Sequence, residues 1–443
     1  MTATLATHRA IEAVWRIESA QVIGGVARLV RDVGLAEELA QDALVAALVH
    51  WPAEGVPNNP GAWLMATAKN RALDHLRQAA LHARKHEEIG RDLDALQAHV
   101  VPDFVDALDA ARTDDIGDDL LRLIFTACHP VLSTDARVAL TLRLVGGLTT
   151  EEIARAFLTP EATIAQRIVR AKRSLAAAKV PFEVPRAAAL APRLASVLEV
   201  IYLVFNEGYS ATVGDDWMRP ALCDEALRLG RILAALVPSE SEAHGLLALM
   251  EIQASRARAR IDAQGRPVLL PDQDRSRWDA LLIRRGLAAL ARAQSLGGAR
   301  GPYALQAALA ACHARARTAA ATDWVRIVAL YDALVQVAPS AVVELNRAVA
   351  VGMAGAGGGE AGSEVEGGSA KGQRFGPAAA LAIVDALASD PALARYHLLP
   401  SVRGDLLAKL GRRDEARAEF ERAAALTRNT RERELLLGRA NSV

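Results

Sequence analysis

Aromatic residues are scarce in this chain, at 4% of 443 positions, and cysteine is scarcer. The three cysteines, Cys128, Cys223 and Cys312, are too few and too scattered for a disulfide framework or a four-ligand zinc site, which fits a reducing compartment. Long apolar runs are missing too. "LEVIYLVF", residues 198–205, is far too short to span a bilayer, and no basic patch at the N-terminus leads into an apolar stretch. A cytoplasmic setting without membrane anchoring is therefore expected. No phosphate-cradling glycine loop or nucleophile motif occurs, and Cys128-His129 and Cys312-His313 lack a further pair at ligand spacing, so neither cofactor nor metal is expected. Alternating β-branched runs are few, whereas alanine and leucine abound, which predicts an all-α fold. With 51% hydrophobic residues, the chain has material for two or three domains.

The formal net charge of +0 conceals a segregation. Between residues 92 and 119 stand Asp92, Asp94, Asp103, Asp106, Asp109, Asp114, Asp115, Asp118 and Asp119, against Arg112. This reads as an acidic linker, expected over residues 81–115. Residues 137–179 invert the balance: Arg137, Arg143, Arg155, Arg167, Arg170, Lys172, Arg173 and Lys179 face Glu151, Glu152 and Glu161. Such a local basic excess is the footprint of nucleic-acid binding.

Inside the basic stretch, "LTTEEIARAFLTPEATIAQRIVRAKRSL", residues 148–175, reads as two helices and a tight turn. Thr149 and Glu152 predict a reciprocal capping box and a helix to about Phe157. Thr159 and Pro160 predict a second start, with a hydroxyl at the cap and proline at the first helical position. There Ile164, Ile168, Ala171 and Leu175 share one stripe and leave Thr163, Gln166, Arg167, Arg170 and Arg173 pointing elsewhere. Arginine and glutamine can pair with guanine and adenine edges, while lysine and arginine further along, Lys172 among them, neutralise phosphates. A solvated helical hairpin would show the same stripes, and the turn lacks the usual glycine.

"NNPGAWLMATAKNRALDHLRQ", residues 58–78, predicts a long helix capped by Asn59 with Pro60 as its first residue. Leu64, Ala68, Ala72 and Leu76 line one face; Thr67, Asn70, Arg71, Asp74, Arg77 and Gln78 line another, suited to single-stranded bases. Upstream, "GLAEELAQDALVAALVHW" is amphipathic, with Leu35, Leu39 and Ala43 inward and Glu37, Glu38, Gln41 and Asp42 outward. That acidic face would repel DNA and attract a basic partner.

In this order the segments resemble the sigma-70 family of RNA polymerase sigma factors, specifically the extracytoplasmic-function class. "AEELAQDALVAAL" is similar to the region 2 helix that docks on polymerase, and "NPGAWLMATAKNRALDHLR" to the helix that melts the promoter and reads the minus-10 element. Residues 148–175 resemble region 4, the minus-35 reader. The resemblance implies region 2 over 10–80 and region 4 over 116–180, with no enzymatic activity. It implies that Glu37, Glu38, Gln41 and Asp42 contact core RNA polymerase, and that Trp63, Lys69, Asn70, Arg71, Asp74 and Arg77 handle the minus-10 element. Thr163, Gln166, Arg167, Arg170, Lys172 and Arg173 would then read promoter DNA at minus-35. Trp63 would either stack on an opened base or pack in the core. The acidic linker would either thread near the polymerase active centre or simply be solvated. A helix-turn-helix regulator that never joins core polymerase is the rival reading, and it has no need of residues 35–78.

More than half the chain follows the prolines of "AKVPFEVP". From its opening phrase, "LASVLEVIYLVFNEGYSAT", the extension, residues 185–443, resembles that of the sigma-factor group with a C-terminal tetratricopeptide-like domain. Three places approach that repeat: Ile327, Tyr331, Leu334 and Pro339; Ala379, Ile383, Ala386 and Pro391; and Ala416, Phe420 and Ala423 preceded by Gly404 and Leu407. A glycine-rich insert at about 354–376 separates the first two and is expected to be flexible. Stacked helix pairs would offer a concave surface to a protein partner, or only pack against the sigma domains. "NEGYS" offers Asn206, Glu207, Tyr209 and Ser210 around Gly208, enough polar groups for acid–base chemistry. The favoured reading is that Gly208 ends a helix and the polar residues fix the turn.

Overall fold

The computed structural model describes residues 2–90, 116–211, 213–355 and 374–443; most of the acidic segment and of the glycine-rich insert lie outside them. Two compact units divide the chain, Met1–Ile201 and Tyr202–Val443.

The first unit begins with α1 (Thr2–Val30), α2 (Val33–Glu54) and α3 (Pro60–Gly90), each packed on the other two. Asp32 starts α2 by accepting from the Leu35 N–H at 2.9 Å, and Asn59 starts α3 by accepting from Ala62 N–H at 3.1 Å. The α3 helix continues to Gly90, ten residues into the segment expected as linker. Then come α4 (Ile116–Ala127), α5 (Thr134–Leu144), α6 (Thr150–Ala156) and α7 (Glu161–Ala177). Asp118 and Asp119, counted with the acidic stretch, belong to α4, and Asp119 is buried against α1. The first turns of α8 (Leu190–Tyr209) close this unit. Arg193 donates to the Phe125 carbonyl at 2.8 Å, and Ser196 to the Cys128 carbonyl at 2.6 Å.

The second unit is a succession of helices, each packed on the next: α9 (Pro220–Leu236), α10 (Ser241–Ala254), α11 (Ala280–Ser295), α12 (Pro302–Arg315), α13 (Trp324–Val337), α14 (Ala341–Ala354), α15 (Pro377–Leu387), α16 (Leu398–Lys409), α17 (Arg413–Leu426) and α18 (Thr430–Ser442). Among the described residues this unit also contains two short strands, β1 (Val213–Gly214) and β2 (Arg428–Asn429), paired in parallel. Asn429 adds side-chain bonds to the carbonyls of Ala211 at 3.1 Å and Asp216 at 2.9 Å. The start and end of this unit are thereby fastened together.

The repeat positions fare unequally. Ala416, Phe420 and Ala423 are buried, and Phe420 lies so close to Gly404 that a Cβ there would meet its ring at 3.0 Å. Ile327 and Leu334 are buried as well. In α15 the buried face is Ala380, Leu381 and Val384, one residue from the expected Ala379 and Ile383, and Ala386 is exposed. Gly208 is the last residue but one of α8, which ends at Tyr209, so the helix end falls one residue beyond the expected place. A Cβ at Gly208 would meet the Cys223 backbone N at 2.6 Å, so the missing side chain admits the start of α9.

Candidate nucleic-acid interface

The expected capping box is present. Thr149 Oγ1 accepts from Glu152 N–H at 3.1 Å, and the Glu152 carboxylate accepts from Thr149 N–H at 2.8 Å. These bonds and Arg16 hold the Glu152 carboxyl below its ordinary value, although burial acts most strongly and in the opposite direction. The second start differs from expectation. Pro160 is itself the cap residue of α7, and Thr159 Oγ1 turns back to the Phe157 carbonyl at 3.2 Å. Leu158, at φ 48°, makes the turn that a glycine usually makes.

Ile164, Ile168, Ala171 and Leu175 are buried along α7 as the stripe requires. Thr163, Gln166, Arg170 and Arg173 are exposed. Arg167 is half-buried and reaches Asp135 at 3.2 Å. Thr163, Gln166, Arg167 and Arg170 together line a cavity of about 350 Å³ against Val131, Leu132 and Ser133. Lys172 departs from the expected face, since its ammonium contacts the Glu37 carboxylate.

Glu37 is the main correction on α2. It is 3% exposed, accepts from Arg143 Nε and Gln41 Nε2 at 2.7 Å each, and contacts Lys172. The period of the helix placed it outward, but α5 and α7 cover it. Gln41 is half-buried, whereas Glu38 and Asp42 are exposed. Leu39 and Ala43 are buried and Leu35 half-buried. Val45 and Val49, 56% and 67% exposed, extend the row of Glu38 and Asp42 at helical spacing. Exposed valines on an amphipathic helix were the available signal in the sequence.

On α3, Leu64, Ala68 and Ala72 are buried, and Asn70, Arg71, Asp74, Arg77 and Gln78 are exposed. Arg77 pairs with Asp74 at 3.1 Å, and Arg71 reaches Asp42 at 3.4 Å, so the row on α3 touches the row on α2. Lys69 leaves its expected face. It is half-buried, and its pKa is lowered by burial and then by Arg28, with Asp119 opposing. Trp63 is half-buried with its ring edge-on to Trp51, the centroids 5.4 Å apart. Thr67 Oγ1 donates to the Trp63 carbonyl at 2.9 Å.

Two helical modules thus each present a polar row, one mixed in charge on α3 and one rich in Arg and Gln on α7. Residues 16–81 match the family Sigma-70 region 2, and residues 122–175 match Sigma-70, region 4. The ECF RNA polymerase sigma factor SigK of Mycobacterium ulcerans is 30% identical over 159 residues, covering 35% of this chain and 78% of that protein. The chain belongs to the ECF RNA polymerase sigma factors. A probable ECF sigma factor, SigI of Mycobacterium tuberculosis, is 27% identical over 39% of this chain and 56% of its own length. An uncharacterized protein of Rhizobium meliloti is 45% identical over 413 residues, 93% of this chain and 90% of that protein. It therefore shares the extension, within which residues 193–294 match a family of unknown function, DUF6596. Sigma factors are not enzymes, and among the described residues no helix is long and apolar enough to cross a membrane.

Proposed function

We propose that this sigma factor joins core RNA polymerase, reads minus-35 DNA with Thr163, Gln166, Arg170 and Arg173, and opens the minus-10 element against Asn70, Arg71, Asp74 and Arg77. The observation that carries the reading is the exposure of both rows on modules that belong to one family. Core polymerase is engaged by the α2 row, in which Val45 and Val49 join Glu38 and Asp42. The extension regulates this activity, and its consecutive helix pairs, with Phe420 seated on Gly404, support a repeat domain that binds a protein partner.

The promoter adds a geometric requirement. Elements centred near minus-35 and minus-10 are about 25 base pairs apart, on the order of 85 Å at about 3.4 Å per step. A globule of the first unit's length has a radius of gyration of only about 17 Å. The contact of Glu37 with Arg143 and Lys172 is therefore part of a resting arrangement that opens when promoter is bound.

The test mixes the full chain with sigma-free core polymerase and a promoter library and maps transcript starts. Specific starts are expected, and Asn70→Ala removes them while leaving minus-35 binding intact. Arg170→Ala weakens minus-35 DNA roughly ten- to hundredfold, as for a paired base contact of about 1–3 kcal/mol. Starts absent in both the full chain and a truncation after Ile201 would favour the regulator that never joins polymerase. In a separate binding assay Val49→Glu, a change at an exposed position, lowers core affinity by about tenfold or more, as a charge at an apolar contact should; unchanged affinity would remove the valines from the docking face.

A further inference from the structure

Arginines and aromatic rings alternate through the second unit. The Arg275 guanidinium lies 4.7 Å from the Trp278 ring centre; Arg256 lies 5.8 Å from that ring and 5.9 Å from Tyr209; Arg260 lies 3.7 Å from Tyr209 and 5.6 Å from Trp217. Arg256 is only 9% exposed. The hydrogen-bond partners of all three are neutral: the Gln253 amide oxygen for Arg256, the Tyr209 carbonyl for Arg260, and for Arg275 the His313 and Ala316 carbonyls and the Thr322 hydroxyl. Three carboxylates of the same segment are committed elsewhere, Asp262 to Arg266, Asp274 to Ser276 and Asp279 to the first N–H groups of α11, and the fourth, Asp272, is exposed and makes no ion pair with the three arginines.

The same unit shows how a buried charge is ordinarily matched. Glu251, 1% exposed, is met by Arg231 at 2.9 Å and Arg285 at 3.2 Å. For the Arg256 cluster no such counter-charge stands among the described residues. A ring face attracts a cation without neutralising it, so three neighbouring guanidiniums remain mutually repulsive, and the buried Arg256 is poorly solvated as well. Four buried groups that can donate, Arg256 Nε, Arg260 Nε, Trp278 Nε1 and Tyr209 Oη, also have no hydrogen-bond partner among the described residues. Gln273 Oε1 is an acceptor in the same condition. Excess donors together with excess positive charge are what an oxyanion requires, and the guanidinium fork matches both phosphate and carboxylate.

We propose that Arg256, Arg260 and Arg275 form an oxyanion-binding site in the extension, taking a small molecule that carries a phosphate or carboxylate group. Arg275 and His313 also line a cavity of about 730 Å³ whose walls include Leu269, Leu270, Trp324 and Met353, along with Asp272 and with Asp405, whose charge Lys409 and Arg439 meet. The ligand is accordingly an anionic head on an apolar body. His313 is held neutral at pH 7: burial first, then Arg256 and Arg275, push its pKa down to about 4.

The test titrates the full chain with inorganic phosphate, succinate and chloride at constant ionic strength, following melting temperature and calorimetric heat. A saturable response to phosphate alone assigns a phosphate ligand, one to succinate alone assigns a carboxylate, and responses to both assign a general oxyanion site; each supports the proposal. Arg256→Met removes the buried charge while keeping the length of the side chain, and Arg260→Gln provides a second variant should the first not fold. Each should raise the half-saturating concentration by about tenfold or more, the loss expected for a charge-assisted hydrogen bond. A response no greater than that to chloride, or one retained in full by a folded variant, overturns the site.

Discussion

Glu37→Ala is expected to destabilise the first unit by about 3 kcal/mol, the low end for breaking a buried ion pair. The low end applies because Arg143 and Lys172 keep 24% and 20% side-chain exposure and can partly rehydrate, whereas the Glu37 side chain is 4% exposed. Because α2 supplies the acid and α5 and α7 the bases, the pair holds region 4 on region 2. Arg28 with Asp119 at 3.5 Å and Arg16 with Glu152 at 2.7 Å join the same modules. The Arg16 pair is well exposed and contributes little by itself. Combining Glu37→Ala with Lys172→Ala in a double-mutant cycle should give a coupling of about 1 kcal/mol or more, read from urea denaturation of the full chain. Glu38→Ala, one residue away and exposed, should stay within about 0.5 kcal/mol of wild type. Additive losses at Glu37 and Lys172 would mean that the two modules are not docked in solution. A real coupling also predicts that promoter DNA competes with the latch, so that Glu37→Ala eases the separation of the two modules on the promoter while the α2 row stays intact.

The local grammar of this chain was legible in its sequence, and tertiary encounters were not. The Thr149 capping box, the Asn59 cap and the buried stripes of α3 and α7 each depend on residues within one or two turns, so spacing alone places them. Glu37 has the same local pattern as Glu38, and only the arrival of Arg143 from 106 positions away separates a buried latch from an exposed contact. Lys69 likewise leaves its expected face for a half-buried place near Asp119, which attracts it, and Arg28, which opposes it. Thr159 and Pro160 illustrate a near miss, where the start signal was right and the capping bond went to the preceding turn instead. The β1–β2 pairing joins residues 215 positions apart through two residues per strand, too short to leave an alternating pattern. The Arg256 cluster draws its rings from α8, the loop after it and the segment before α11, a convergence that periodicity cannot register.

Gly208→Ala should cost about 3 kcal/mol, the upper part of the range for overpacking, and carry the effect to the whole second unit. The added methyl would meet backbone on nearly every side: the Cys223 N at 2.6 Å and the Arg219 carbonyl at 3.0 Å, besides the Leu222 Cβ at 2.8 Å. Backbone yields far less readily than the end of a long side chain. The Gly208 carbonyl also accepts from Arg219 N–H at 2.7 Å, and Glu207 pairs with Arg219, so separating α8 from the start of α9 breaks both. Tyr209, the next residue, stands between Arg256 and Arg260, and a shift there would disturb the proposed anion site as well. Gly438→Ala provides the opposite case within one unit. Gly438 lies inside α18 with nothing within 4 Å of a new Cβ, so alanine should stabilise by roughly 0.5–1 kcal/mol through lower unfolded-state entropy. Thermal melting of the two variants separates the effects by sign. Equal, small shifts at both sites would show that Gly208 serves no close approach and that its place in "NEGYS" needs another account.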